Sequence, residues 1–264
     1  MVHPTKGTTM LYATSLSDVS WSFLSPFFIV VKQRKHSLRL IIDACFYAVD
    51  NGTKWRNLPN DFPPWKTVYH YFRKWSETGI WEEINLVLVE AVRWSQGREE
   101  SPSLASIDSQ SQTAEPGIKD RGLDGGKKVN GRKRHIAVDC LGLLLLCICT
   151  SANTADAKAG RILVQQLNDP KDFPRIKKIL GDAAYQGVGN ELAVPVSIES
   201  KERLPGTKGF VPEAFRWTVE RTFSWLNRQR RLVRNYEKKA HHQEAMNYIG
   251  NTRICLKRLT AWIS

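Results

Sequence analysis

The spacing of apolar residues changes near residue 99, from a helical period to short strand-like runs, so an all-helical or an all-strand fold accounts for only part of the chain. Before the change, Leu38, Ile41, Ile42, Cys45, Phe46 and Val49 recur at helical spacing, which predicts a helix over Leu38–Asn51 that Gly52 ends. Ser17-Asp18 supplies a cap for a short helix reaching Leu24, and Trp55–Leu58 forms a brief turn of its own. Pro64 suits the first turn of a further helix, Trp65–Trp75. Gly79 separates it from a fourth, Trp81–Gln96. After the polar stretch Glu99–Ser103 the runs shorten to Leu104–Asp108, His135–Asp139 and Leu143–Thr150, and Gly142 makes the last two a hairpin. A helix over Ala155–Leu167, strands at Ile176–Asp182 and Ala193–Ile198, and helices at Ala214–Val233 and His242–Trp262 complete the reading. The pattern gives a small all-helical unit, residues 1–98, followed by an α/β unit, residues 99–264, built as a mixed sheet with helices on its faces.

Composition narrows the partners. Apolar residues make up 42% of 264, enough for a sizeable core, and the net charge of +13 favours a polyanion: nucleic acid, or an anionic membrane surface. No apolar run is long enough to span a bilayer, and the best, Gly142–Cys149, is strand-sized. Phe23–Val31 is broken by Pro26 and lacks a small-residue cleavage site, so a secretory leader is not expected. Five cysteines, four of them within apolar runs, read as buried free thiols of a reducing, cytoplasmic compartment rather than a zinc site.

Three acids stand out. Asp108 and Asp182 close predicted strands, where carboxylates are placed to share a hard cation such as Mg²⁺. Glu220 lies in a basic helix. At 100° per residue Arg216, Glu220, Ser224, Asn227 and Arg231 form one stripe, beside an apolar stripe of Val219, Phe223, Leu226 and Val233. Taken singly, each acid has an ordinary alternative: Asp often ends strands, and a helical Glu commonly pairs with a neighbouring Arg. Asp139 also closes a strand and is a weaker ligand candidate.

Together, Ile107-Asp108-Ser-Gln-Ser, Gly125-Gly-Lys-Lys-Val-Asn-Gly-Arg-Lys-Arg-His-Ile136, Gly181-Asp182-Ala-Ala-Tyr185 and Arg216-Trp-Thr-Val-Glu220-Arg-Thr-Phe-Ser-Trp-Leu226 resemble the DDE transposases of bacterial insertion sequences, most closely the five group of the four-like superfamily. The stretch from Gly52 to Tyr69 is similar to that group as well. The resemblance implies a ribonuclease H-like fold. It implies Asp108, Asp182 and Glu220 as catalytic metal ligands, and two Mg²⁺ (or Mn²⁺) ions about 3.5–4 Å apart. It implies hydrolysis at element ends, transfer of the 3′-hydroxyl ends to target DNA, and a homodimer on DNA at the nucleoid. Alternatives are a repurposed DNA-binding protein without catalysis and a nuclease of the same fold. The chain departs from the family at Glu213, where a Tyr is usual, at Asn227, where a Lys is usual, and at Ala183-Ala184, where Gly-Gly is usual. Arg228, Arg230 and Arg231 are placed to replace the Lys.

The helices around 38–51, 55–58 and 64–75 resemble a helix-turn-helix, with Lys66, His70, Arg73 and Lys74 on the polar side of its last helix, as major-groove recognition requires. A glycine-flanked basic loop, Lys127–Arg134, offers Lys127, Lys128, Arg132, Lys133 and Arg134 to phosphates. Arg216, Arg228 and Arg231 extend this basic set. His241 and His242 are adjacent, and adjacent helical side chains diverge, so they are not expected to act as a metal pair.

Overall fold

In a computed structural model the described residues are 12–28, 35–185, 187–188, 192, 197–199 and 216–263. Four helices come first: α1 (Asp18–Leu24), α2 (Leu38–Asn51), α3 (Trp65–Glu77) and α4 (Ile80–Ser95). Ser17 Oγ accepts the Ser20 amide at 3.0 Å and caps α1. Gly52 at φ 70° ends α2, and Gly79 at φ 74° turns the chain between α3 and α4, both in the left-handed region that glycine enters freely.

The sheet comprises β1 (Leu104–Thr113), β2 (Gly122–Asp124), β3 (Val129–Val138), β4 (Leu144–Ser151), β5 (Lys178–Leu180) and β6 (Ser197–Glu199). Its order is β2-β3-β1-β5-β6. β1, β2 and β4 all run antiparallel to β3, β4 sharing with β2 the edge of β3 away from β1, and β5 and β6 continue parallel to β1. Helices cover both faces. Ser109 on β1 bonds Asp156 at the start of α5 (Asp156–Leu167), at 2.9 Å. The alternate residues Gln110 and Gln112 meet α6 (Arg216–Asn227) and the short turn Arg230–Leu232 that follows it. The last helix, α7 (Ala240–Ile263), lies between sheet and N-terminal helices. Asn251 Nδ2 donates to Asn85 Oδ1 of α4 at 2.7 Å, and Asn85 Nδ2 donates to the Leu144 carbonyl of β4 at 2.7 Å. One continuous buried cluster runs from Leu24 and Phe46 through Trp81 to Ile136 and Leu146.

Several boundaries differ from the sequence reading. β1 runs on to Thr113, so Asp108 sits mid-strand. β3 begins at Val129, so the supposed loop ends at Lys128. The cations Arg132, Lys133 and Arg134 occur inside a central strand because each is bonded within the chain. Arg132 reaches Asp120 and the carbonyls of Glu237 (2.7 Å) and Lys238 (2.8 Å). Gly131 is required at the crowded end of this pairing: a Cβ there would lie 1.9 Å from the Gln112 carbonyl oxygen. The predicted strand Ile176–Asp182 contracts to β5, and β2 has no apolar signal at all. The helix predicted over 214–233 is described from Arg216 and stops at Asn227. The predicted strand residues 193–196 lie outside the described set, leaving Ser197–Glu199 as β6.

Candidate active site and nucleic-acid interface

Asp108 and Asp182 are related by the parallel register of β1 and β5. Ser106 pairs with Leu180, and each acid lies two residues further on: Asp108 within β1, on the pleat face of Ser106, and Asp182 beyond the end of β5. Ser109 N donates to Asp108 Oδ1 at 2.7 Å, and Ala184 N donates to Asp182 Oδ1 at 3.0 Å. Burial raises the pKa of the Tyr185 hydroxyl well above the ordinary phenol value, and the fields of Asp156, Asp108 and Asp182 add to the rise.

Glu220 approaches the same face. Asn227 on α6 bonds Gln110, two residues past Asp108, with Nδ2 to Oε1 at 3.5 Å. Thr222 on the same helix donates to the Gly142 carbonyl at 2.8 Å, beside the β3–β4 turn. These two anchors run α6 in the direction of β1. Glu220 precedes Asn227 by seven residues, about 10 Å of helix and nearly two full turns, so it shares Asn227's side. Asp108 precedes Gln110 by about 7 Å of strand. Glu220 and Asp182 are exposed and Asp108 is half-buried. Among the described residues the three acids are not drawn as close as 4.8 Å; the trio that is consists of Glu77, His241 and His242. Asp139 belongs elsewhere. It is 1% exposed, pairs with Arg93, and its Oδ1 accepts the amides of Leu141 (2.9 Å) and Leu143 (2.8 Å), which makes it the cap of the β3–β4 hairpin.

A second polar group, not anticipated from sequence, fills the opposite face of β1. Asp156 takes Lys133 Nζ at 3.0 Å and Ser109 Oγ at 2.9 Å, with His135 Nδ1 at 3.8 Å. Burial pushes His135 down to about 4, so the ring is neutral at pH 7. The only sequence signal was Asp156 at a helix start, an ordinary position for an acid.

The basic residues divide by burial. Lys66, His70, Arg73 and Lys74 are all exposed along one side of α3, opposite the buried Val68, Phe72 and Trp75. Lys127 and Lys128 are exposed in the β2–β3 turn, which Asp124 Oδ1 closes by accepting the amides of Gly126 and Lys127 at 3.1 Å each. Lys127 Nζ reaches the Ser109 carbonyl at 3.3 Å, next to Asp108. Arg228 is exposed; Arg231 is not, being bonded to Glu237 Oε1 (2.6 Å) and to the Thr53 carbonyl (2.5 Å). Arg132, Lys133, Arg134 and Arg231 are therefore unsuited to phosphate contact, because their side chains are buried and bonded within the interior. The Arg216 side chain and all of Glu213 lie outside the described residues.

Residues 16–85 match a family described as "Putative transposase of IS4/5 family". Residues 99–196 and 190–257 match two families each described as "Transposase DDE domain". This chain belongs to the DDE transposases of insertion sequences. It is 29% identical over 140 residues to a protein of Burkholderia cepacia named "Putative transposase for insertion sequence element IS402". That match spans 49% of this chain and 64% of the relative, less than two thirds of its length. No solved structure matches. Against the transposase pattern, Asn227 is explained by its setting: its Oδ1 accepts from Arg134 Nη2 at 2.8 Å, so the position is tied into the sheet.

Proposed function

We propose that the chain cuts DNA phosphodiester bonds at the ends of an insertion element and joins the freed 3′-hydroxyls to target DNA, with Asp108, Asp182 and Glu220 as the catalytic acids. The observation that carries this reading is the placement of the acids: Asp108 on β1, Asp182 two residues past the end of the neighbouring parallel β5, and Glu220 on the helix that packs on β1. Three carboxylates and no nitrogen or sulfur donor suit hard cations of the Mg²⁺ or Mn²⁺ class, which Asp108, Asp182 and Glu220 would hold. When bound, two such ions supply an activated attacking oxygen and stabilise the leaving one. The protein's part is to hold the acids. The Ser109 and Ala184 amides fix one oxygen each of Asp108 and Asp182, and the exposure of Asp182 and Glu220 leaves the site open to a duplex. Lys127, Lys128 and Arg228 contact phosphates beside the acids, and Arg216, one helical turn before Glu220, grips another. Residues 1–98 read the terminal inverted repeats through α3, while 99–264, of ribonuclease H-like class, perform the chemistry, as two copies on double-stranded DNA at the bacterial nucleoid.

The test is Mg²⁺-dependent cleavage of a duplex carrying the element's end. Asp108→Asn, Asp182→Asn and Glu220→Gln should each abolish cleavage and leave duplex binding intact. Retained cleavage by any one removes that residue from the site. Cleavage by the wild type without strand transfer would make the chain a nuclease instead.

A further inference from the structure

His241 and His242 open α7, and Glu77 closes α3 where the two helices meet. The sequence suggested that the two imidazoles diverge. In the structure the rings stand edge to face with centroids 4.5 Å apart, and His242 is backed by Phe72 at 5.5 Å. One potential ligand atom from each of Glu77, His241 and His242 lies within 4.8 Å of the other two. His242 is 2% exposed, and the Nε2 atoms of both histidines are buried with no hydrogen-bond partner among the described residues. Native interiors rarely leave such nitrogens unpaired unless something outside the chain takes them. Among the described residues Glu77 is held by Lys239 at 3.6 Å and Arg73 at 3.7 Å, long contacts of exposed side chains that a stronger partner can displace.

We propose that His241, His242 and Glu77 bind a transition-metal cation of the Zn²⁺ class, with water in the fourth position. Two imidazoles and a carboxylate match the donor set of known zinc centres. Ligands about 2.0–2.1 Å from a tetrahedral ion need to close to about 3.4 Å of each other, a contraction that requires rotation of both the exposed Glu77 side chain and the His241 ring. The site is separate from the three acids and chemically distinct from them, since nitrogen donors select Zn²⁺ over Mg²⁺. It clamps α3 to α7, and taking Glu77 as a ligand releases Arg73 from its pairing on the exposed basic stripe of α3.

The experiment uses full-length protein stripped with a chelator, then titrated with Co²⁺ in excess Mg²⁺ and followed by visible absorption. One Co²⁺ per chain, displaced by Zn²⁺ and raising Tm, is expected. Glu77→Gln and His241→Ala should bind at least tenfold more weakly, with the metal-free Tm unchanged for Glu77→Gln, whose side chain is exposed. An Asp108→Asn, Asp182→Asn double variant should bind Co²⁺ as the wild type does. The proposal is overturned if the wild type takes up no Co²⁺ in excess Mg²⁺. It is equally overturned if Glu77→Gln binds normally, or if the double variant loses the ion. Should His241→Ala fail to fold, Glu77→Gln alone decides.

Discussion

Replacing Arg134 by Ala tests whether the basic stretch before His135 serves DNA or the fold. The guanidinium is fully buried. Nη1 donates to Asn247 Oδ1 at 3.0 Å and to the Leu232 carbonyl at 3.4 Å, and Nη2 donates to Gln110 Oε1 at 2.6 Å and Asn227 Oδ1 at 2.8 Å. The group also lies 5.1 Å from the centroid of the Phe223 ring. Truncation strands acceptors from β1, α6, α7 and the turn between those helices, at ~1–3 kcal/mol for each that water cannot reach. The variant is relieved of a desolvation cost, visible in the pKa that burial pulls down to about 10. Balancing the two, a loss of about 3–5 kcal/mol is expected, as for other broken buried charge networks. For a chain of this size that lowers Tm by roughly 10 °C. Denaturant unfolding measures the loss, and duplex binding at several salt concentrations measures the phosphate contacts. Arg134→Ala should keep the wild-type salt slope. A variant of unchanged stability whose slope falls by about 0.9 would refute the argument, because that is the signature of one lost phosphate contact.

Three further outcomes follow from the same geometry. Glu244 Oε1 accepts the Cys149 amide at 2.7 Å, and burial pushes the carboxyl from its ordinary 4.5 up to about 7. The folded state thus holds a proton the unfolded chain releases, so this stability is complete below pH 4.5 and lost as pH rises through 7, amounting to ~3 kcal/mol at most. Glu244→Gln should match the wild type near pH 4.5 and exceed it by ~1–3 kcal/mol at pH 8; a gap that does not change with pH counts against the reasoning. Alanine at Lys127 and Lys128 should weaken binding to all duplexes alike and flatten the salt dependence by about 0.9 per contact; loss of sequence preference instead would be the contrary result. Alanine at Lys66, His70 and Arg73 should leave Tm unchanged and, in competition binding, reduce the preference for the element's end over random duplex; an unaltered preference would remove α3 from recognition.

The N-terminal helices were legible because their apolar spacing and their stops are local. Gly52 and Gly79 adopt the left-handed conformation that marks a helix boundary, the buried face of α2 follows the predicted stripe, and that of α3 lies opposite the predicted polar side. The strands were legible only where one face is apolar. β4 is Leu-rich and was read nearly to the residue, whereas the second half of β1 is Ser-Gln-Ser-Gln-Thr and gives no hydropathy signal. The three proposed acids stand out in the sequence through the motifs around them. Their relation in space rests on a register and a helix direction that no local pattern encodes.

The unread half of β1 and the unread half of β3 have the same cause. Gln110, Gln112, Arg132 and Arg134 line the face beneath α6 and α7, where a hydrophobic core would be expected, and they bond to Asn227, Asn235 and Asn247 and to the carbonyls of Leu232, Glu237 and Lys238. Such a network forms only when all its members are present, so it is visible in tertiary structure and not in any window of sequence. It also changes the meaning of the net charge of +13, since several of those cations are internal and the DNA-facing charge is smaller than the count implies. Arg134 bonds Gln110, two residues past Asp108, and Asn227, seven past Glu220. The cation that looked like a phosphate contact instead ties the strand bearing one acid to the helix bearing another. Its removal should therefore disturb the spacing of those acids before it disturbs any contact with DNA.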